Sequence, residues 1–534
     1  MTSNSHPIPD WAEKVAEQLG PGPHVVVTGI SPSGNIHVGN LREVLVAEAV
    51  VNALKARGSE VRFVFHADTI DPLRKIAPGI PADFKRYIGH SLSRVPDPEG
   101  CHDSYAEHFL SPFEEALKRM EIDVEVLRSH ELYEDGFYAE VTREALEHTD
   151  DLRNILQEIS GRKMPEHWSP YLPQVTSGQL TGARILEHLP EENKVVFVDE
   201  DGWEEVADYS KGEGKLGWRV ELAARWKALR ATFEPFGKDH TSRGGSTDTA
   251  DRMAREVFNY PVPGRYEYEW IQIKGKGAMS SSKGIVLLPG DMLEIMPPDA
   301  LRRMVLGRDP ARALDLDLGT GFPKFMDEYR ASTEERPVPF SHLVTIAQTI
   351  VPSGIPSAEA FGTPEVSQVT SGDEQTSRPS SKPSAEAFGV PAVEMIRRSG
   401  YEEAAQDPEK LRQDLTYARN WAEEWAPESY RFGVRDEMPP EVAELDAEQR
   451  RYLVAVAEKL EDGMDGDATQ NLLYSTAVEL GLKPKAAFGA VYTVLLGKKS
   501  GPKAGPFVAG LDTGFVRERF RNVSEDTMPI RGES

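Results

Sequence analysis

The 534-residue chain carries 61 Lys and Arg against 87 Asp and Glu, a formal charge of -26, which excludes indiscriminate polyanion binding while leaving local basic patches free to act against the mean field. Its single cysteine excludes an intrachain disulfide. No stretch approaches the roughly 20 apolar residues of a membrane span, and the polar N-terminus has no secretory pattern, so a cytoplasmic protein is expected.

Residues 9–19 have the spacing of a short amphipathic helix. The run His24–Ile30 is β-branched, breaks at Ser31-Pro32-Ser33-Gly34, and resumes from Leu41 to Val50 at helical spacing. Strand, tight turn and helix in this order open a nucleotide-binding βαβ unit. The glycines admit a ligand close to the backbone, and the helix start offers N–H groups to a phosphate. His37, at that mouth, can donate to a phosphate oxygen as charge develops. Val61–Asp68 reads as a second strand, which puts His66 and Asp68 near the ligand unless they only cap the turn.

Asp97, Cys101, His102 and His108 fall within twelve residues and offer O, S, N and N donors suited to tetrahedral Zn²⁺. The spacing matches no common finger, and a buried cysteine beside two surface histidines is the alternative. Long helical periodicity fills 112–163, for example Glu140 to Lys163, and short β-like runs occupy 168–208. Trp218 begins a helical pattern in which Trp226 falls on the core side of Leu222. Trp218 with Asp239 and His240 can form an amino-acid pocket, since an indole face and a carboxylate suit a cation. The Gly244-Gly245-Ser246 turn before a helix suits an adenosine ribose. Finally, Lys274 to Gly284 is a glycine-flanked, basic, hydroxyl-rich loop able to clamp a triphosphate.

Pro32-Ser33-Gly34-Asn35-Ile36-His37-Val38-Gly39-Asn40 resembles the first signature of class I aminoacyl-tRNA synthetases, and Ala278-Met279-Ser280-Ser281-Ser282-Lys283 resembles the second. With Gly217-Trp218-Arg219-Val220-Glu221 and the Phe236-Gly237-Lys238-Asp239-His240 segment, the whole is similar to the archaeal-type class I lysyl-tRNA synthetases over about 1–345 and again over 391–525. The resemblance implies ATP with Mg²⁺, L-lysine and tRNA(Lys) as ligands, with neither a membrane nor an obligate protein partner. His37, Asn40, Ser280, Ser282 and Lys283 would act on the triphosphate. Pro32, Ser33, Gly34, Gly39, Gly244, Gly245, Ser246 and Met279 would also contact ATP, and Gly29, Ser31, Trp218, Asp239 and His240 would hold lysine. It also implies zinc on Asp97, Cys101, His102 and His108. A second family zinc site is expected to be lost, because Gln174, Ser177 and the residues near Val198 and Asp201 are not cysteines. Both signature lysines are replaced, by Ala278 and Ser281, which keeps a catalytically silent relative open beside a synthetase for another amino acid such as glutamate.

The expected architecture is an α/β Rossmann-type catalytic domain with an inserted zinc-bearing subdomain, followed by an all-α anticodon-binding domain. Residues 1–70 and 214–292 are the catalytic halves, 71–213 the insertion and 293–345 a helical stem-contact region. Residues 346–390 are a low-complexity insertion in which Pro-Ser-Ala-Glu-Ala-Phe-Gly occurs twice, and 391–534 form the anticodon-binding domain. Lys483, Lys485, Lys498, Lys499 and Lys503, with Arg517, Arg519 and Arg521, collect there as a candidate tRNA surface.

Overall fold

The computed structural model describes residues 8–180, 183–199, 201–275, 277–278, 286–349, 390–435 and 437–523. Met279 to Lys283 and both copies of the heptad therefore lie outside the described residues. The chain separates into two compact units, 1–293 with 297–316, and 294–296 with 317–534.

The first unit is built on α1 (Asp10–Leu19), β1 (His24–Ile30), α2 (Val38–Ala56), β2 (Val61–Ala67), α3 (Tyr105–Arg119) and β3 (Glu125–Arg128). It is completed by α4 (Trp218–Leu229), β4 (Phe233–Gly237), α5 (Ser246–Glu256) and β5 (Gly264–Tyr268). The five strands are parallel and ordered β5-β4-β1-β2-β3. The winding reverses between β1 and β4, and in such sheets the ligand crevice lies outside the carboxyl ends of the strands at that point. β1 and β2 run in register from His24 opposite Val61 to Ile30 opposite Ala67, so both end at the same edge.

Val27, Val64, Trp226, Met253 and Phe258 share one buried core. A parallel strand covered on both faces needs apolar residues at successive positions, hence the Val25-Val26-Val27 run. Trp226 is fully buried, as its spacing from Leu222 requires. α2 is buried on nearly every side and has almost no polar face. Its one buried guanidinium, Arg42, donates to the carbonyls of Glu269 (2.6 Å) and Arg312 (3.0 Å).

Between β3 and α4 the helical pattern expected over 140–163 forms two helices, Ala139–Glu147 and Thr149–Ser160. His148 leaves the helical region at φ -109°, ψ 30°. Thr149 Oγ1 donates to the Leu146 carbonyl (2.7 Å) and His148 Nδ1 meets Asp151 (2.9 Å), side-chain bonds that compete with the helical ladder. The β-like runs form an antiparallel sheet of Arg184–Leu189, Lys194–Val198 and Glu204–Asp208. It packs on Tyr171, Val175, Val195, Phe197, Ala207 and Tyr209. Where the resemblance expects the lost zinc site, the turns are closed by hydrogen bonds. Gln174 Nε2 donates to the Gly178 carbonyl (3.1 Å), and Asp199 accepts from the N–H groups of Asp201 (3.0 Å) and Trp203 (2.7 Å).

The described part of the second unit is helical. Trp421, on Pro408–Glu424, stacks on Phe322 at 5.7 Å and donates to the Leu318 carbonyl (2.8 Å). Five helices between Ala447 and Asn522 enclose a further core of Leu453, Val456, Leu473, Val491, Phe507 and Phe520.

Candidate active site

A cavity of about 480 Å³ opens at the switch point. The end of β1 contributes Gly29 and Ser31, the start of α2 contributes His37, Gly39, Asn40 and Glu43, and Asp68 and Asp71 follow β2. α4 adds Trp218, Glu221 and Arg225, while Asp239, His240 and Tyr268 follow β4 or end β5. A Cβ on Gly29 would lie 2.9 Å from the Arg225 guanidinium and 3.3 Å from the His66 carbonyl, so a larger residue there would have to displace that arginine.

Among the described residues seven carboxylates line the cavity (Glu43, Asp68, Asp71, Glu221, Glu234, Asp239 and Glu269), against Arg225 alone among arginines and lysines. Glu43 accepts from the Gly29 N–H (3.0 Å) and the Tyr268 hydroxyl (2.6 Å). Removal from bulk solvent pushes its carboxyl up to about 7. Below it, Arg225 pairs with Glu234 (2.7 Å) and Asp68 (3.6 Å). The fully buried Lys215 ammonium is bonded to both Asp71 and Glu221 (2.5 Å to the latter). A fixed low-dielectric site with excess negative charge is built to take a cation.

His37 is the N-cap of α2, and its backbone N–H donates to Asn40 Oδ1 (3.1 Å). Burial lowers the His37 imidazole to about 4, so it is neutral at physiological pH and carries one N–H to donate. Its Nδ1 is buried without a hydrogen-bond partner among the described residues.

The fold brings together Gly29, Ser31, His37, Gly39, Asn40, Trp218, Asp239 and His240 from the sequence reading. Pro32, Ser33 and Gly34 form the approach to α2 without lining the cavity. Gly244, Gly245 and Ser246 do not join His37; they line a second cavity on the far side of Trp218 and His240. Asp68 lines the first cavity, and His66 lies behind it, 2.9 Å away. Glu43, Glu221, Arg225 and Tyr268 were not singled out. A glutamate in the second turn of a largely apolar helix was the available signal for Glu43.

Asp97, Cys101, His102 and His108 converge, with ligand atoms all within 4.8 Å of one another. Cys101 Sγ lies 3.3 Å from Asp97, 3.0 Å from His102 Nδ1 and 3.4 Å from His108 Nδ1. Zinc bonds of about 2.0–2.3 Å at tetrahedral angles imply donor separations of about 3.3–3.6 Å, so the set fits that ion. The backbone N–H groups of Glu99 (2.7 Å) and Gly100 (3.0 Å) fix Asp97 Oδ1.

Of the five candidate tRNA lysines, three face carboxylates: Lys498 pairs with Glu428 (2.7 Å), Lys499 with Glu444 (2.9 Å) and Lys503 with Asp467 (3.9 Å). Lys483 and Lys485 are exposed and have no ion pair among the described residues. Arg517 and Arg519 donate to the carbonyls of Leu460 and Arg435 and so hold the helices together.

The profile of the family described as tRNA synthetases class I (K) matches residues 9–343. The chain is 38% identical over 514 residues to a lysine–tRNA ligase of Archaeoglobus fulgidus, covering 96% of this chain and 99% of that one. It is 36% identical over 531 residues to the lysine–tRNA ligase of Methanocaldococcus jannaschii, with coverages of 95% and 98%. Lysine–tRNA ligase 1 of Methanosarcina acetivorans is 35% identical over 544 residues, with 96% and 98% covered.

Proposed function

The chain belongs to the class I (K) tRNA synthetases, and from that premise we propose that the acidic cavity outside β1 and β4 receives L-lysine beside ATP. The protein is an ATP-dependent ligase that joins lysine to tRNA. The observation that carries the residue-level reading is the lining of seven carboxylates around Trp218. It attracts an ammonium group, and it repels the side-chain carboxylate that a glutamate enzyme would have to accept.

In the first step the lysine carboxylate attacks the ATP α-phosphorus; a P–O bond forms as the bond to the β-phosphate oxygen breaks, and pyrophosphate leaves. In the second, the 3′-terminal adenosine hydroxyl of tRNA attacks the lysyl carbonyl and AMP leaves. Neither step needs a covalent enzyme intermediate, so positioning and electrostatics do the work. Magnesium accompanies the ATP phosphates as their counter-charge. His37 donates its N–H to the developing phosphate charge, Asn40 holds the His37 backbone in place, and Ser280, Ser282 and Lys283 take the triphosphate. His37→Ala should lower lysine-dependent pyrophosphate exchange by about 10²–10³-fold with the unfolding midpoint little changed. With its imidazole neutral down to about pH 4, His37 should contribute no inflection to the rate between pH 6 and 8.

We assign zinc to Asp97, Cys101, His102 and His108, where it would tie the 97–102 turn to the first turn of α3. Cys101→Ala should abolish stoichiometric zinc, measured by elemental analysis of dialysed protein, and lower the melting temperature. The insertion 71–213, the helical region 293–345 and the anticodon-binding domain 391–534 follow the same reading, as does a cytoplasmic location. No helix among the described residues is long and apolar enough to cross a membrane.

ATP–pyrophosphate exchange with each amino acid, with and without tRNA, tests the function. Exchange with lysine alone is expected. Exchange with glutamate would reassign the substrate, and none with any amino acid would leave a silent relative.

A further inference from the structure

The metal-ligand set and the turn between β1 and α2 meet at one side chain. Tyr105 opens α3 directly after the N-cap Ser104, whose Oγ accepts from the Glu107 N–H (3.2 Å). His108, the last of the four ligands, follows in the same helical turn and on the same side. The Tyr105 ring is fully buried among Leu73, Phe84, Leu92, Val95 and Phe109. Its backbone N–H donates to the Val95 carbonyl (2.8 Å), and its hydroxyl donates to the Ser33 carbonyl (3.3 Å), 72 residues back in the chain. Burial raises the phenol above its ordinary value, so the hydroxyl keeps its proton and remains a donor. The turn it reaches has little backbone support of its own. Among the described residues, Ser31, Pro32, Ser33 and Gly34 make no backbone–backbone hydrogen bond, whereas β1 before them is paired on both edges. An irregular turn without a ladder takes its shape from the side chains packed on it.

Resting on the ligase reading and the metal assignment above, we propose that Tyr105 is a positioning residue for ATP. Its hydroxyl holds the Ser33 carbonyl, and with it the turn that leads to His37, and occupancy of the metal-ligand set is felt at the nucleotide through this bond. Asp97, Cys101 and His102 lie in a mainly exposed turn before α3, and His108 lies in the helix itself. Joining the two fixes the first turn of α3, which is the turn that carries Tyr105. Arg128, at the end of β3, clamps Glu107 (2.8 Å) and Glu114 (3.1 Å), so α3 stays on the sheet whether or not the ligands are joined. What the joined ligands add is a fixed helix start. Ser33 is exposed, so holding its carbonyl leaves its side chain available to a phosphate.

The test compares the full chain with Tyr105→Phe, which keeps the ring and removes the hydroxyl. In lysine-dependent pyrophosphate exchange with tRNA present, the variant's KM for ATP should rise about five- to ten-fold, the loss of one hydrogen bond, with the KM for lysine unchanged. It should keep its zinc by elemental analysis and melt within about 2 °C of wild type. ATP binding by equilibrium dialysis, before and after zinc is removed with a chelator, reads the coupling. Removal should weaken ATP binding by wild type about as much as the substitution does, and should weaken the variant no further. Equal weakening of both proteins would carry the metal's effect by another route and overturn the proposal, as would undiminished ATP binding by stripped wild type. So would a wild-type KM for ATP in Tyr105→Phe, or a rise in both KM values with a lower melting temperature, which would leave a packing role only. If the stripped chain does not stay folded, His102→Gln, which loosens the set by one exposed donor, replaces chelation in the same comparison. Wild type that gives no lysine-dependent exchange would instead sink the ligase reading, and wild type that holds no zinc the metal assignment.

Discussion

Glu43→Gln should suppress lysine-dependent exchange by about 10²–10³-fold while making the ligand-free protein harder to unfold above pH 7. Both effects come from one carboxylate. Glu43 is anchored by the Gly29 N–H and the Tyr268 hydroxyl, faces the cavity and is drawn up to about 7 by its removal from water. In the unfolded chain the same group ionises near 4.5. Native protein thus binds this proton more tightly than unfolded protein does, and the group's contribution to stability falls as pH rises from about 4.5 through about 7. Glutamine keeps an acceptor for Gly29 and carries no charge, so the variant should unfold at higher urea than wild type at pH 8 and at nearly the same urea at pH 5. A bound ammonium would also relieve the charge, so lysine should raise the wild-type midpoint at pH 8 and leave the variant's in place. A variant that keeps wild-type KM for lysine would remove Glu43 from the pocket.

Lys215→Met is expected to be the most disruptive change in the first unit, at about 3–5 kcal/mol. The ammonium is 1% exposed and is held charged by Asp71 and Glu221, the latter itself buried. Methionine fills similar space but leaves two carboxylates in a poor dielectric with no counter-charge. Urea unfolding of Lys215→Met and of Lys215→Met/Glu221→Gln separates charge from packing. Recovery of more than half the loss in the double variant supports the electrostatic account, and no recovery would assign the loss to shape.

These two residues also show where one-dimensional reading ends. The β1–α2 passage was legible because strand, turn and helix are local, and His37, Gly39 and Asn40 lie within it. Trp226 was legible through its spacing from Leu222. Lys215 was not, because one of its two carboxylate partners is remote in sequence: Asp71 lies 144 residues away. Arg225 looked like one polar position in a helix until β4 set Glu234 beside it and β2 set Asp68. The Gly244–Ser246 turn was legible as a tight glycine-rich turn before a helix, but which cavity it lines depends on the position of Trp218 and His240. For the C-terminal lysines the limit runs the other way: charge is visible in a sequence, but the carboxylate that faces it is not, as Lys498 and Glu428 show.

The hydrogen-bonded turns at Gln174 and Asp199 give the insertion an unusual chemical insensitivity. Without thiols there, thiol-directed alkylating reagents have a single target in the whole chain, Cys101. A metal-bound thiolate reacts slowly and a released one fast, so the rate of a single alkylation event followed by intact mass would report zinc occupancy directly. The enzyme carries its own one-site probe, and no competing sulfhydryl needs to be removed before it is used.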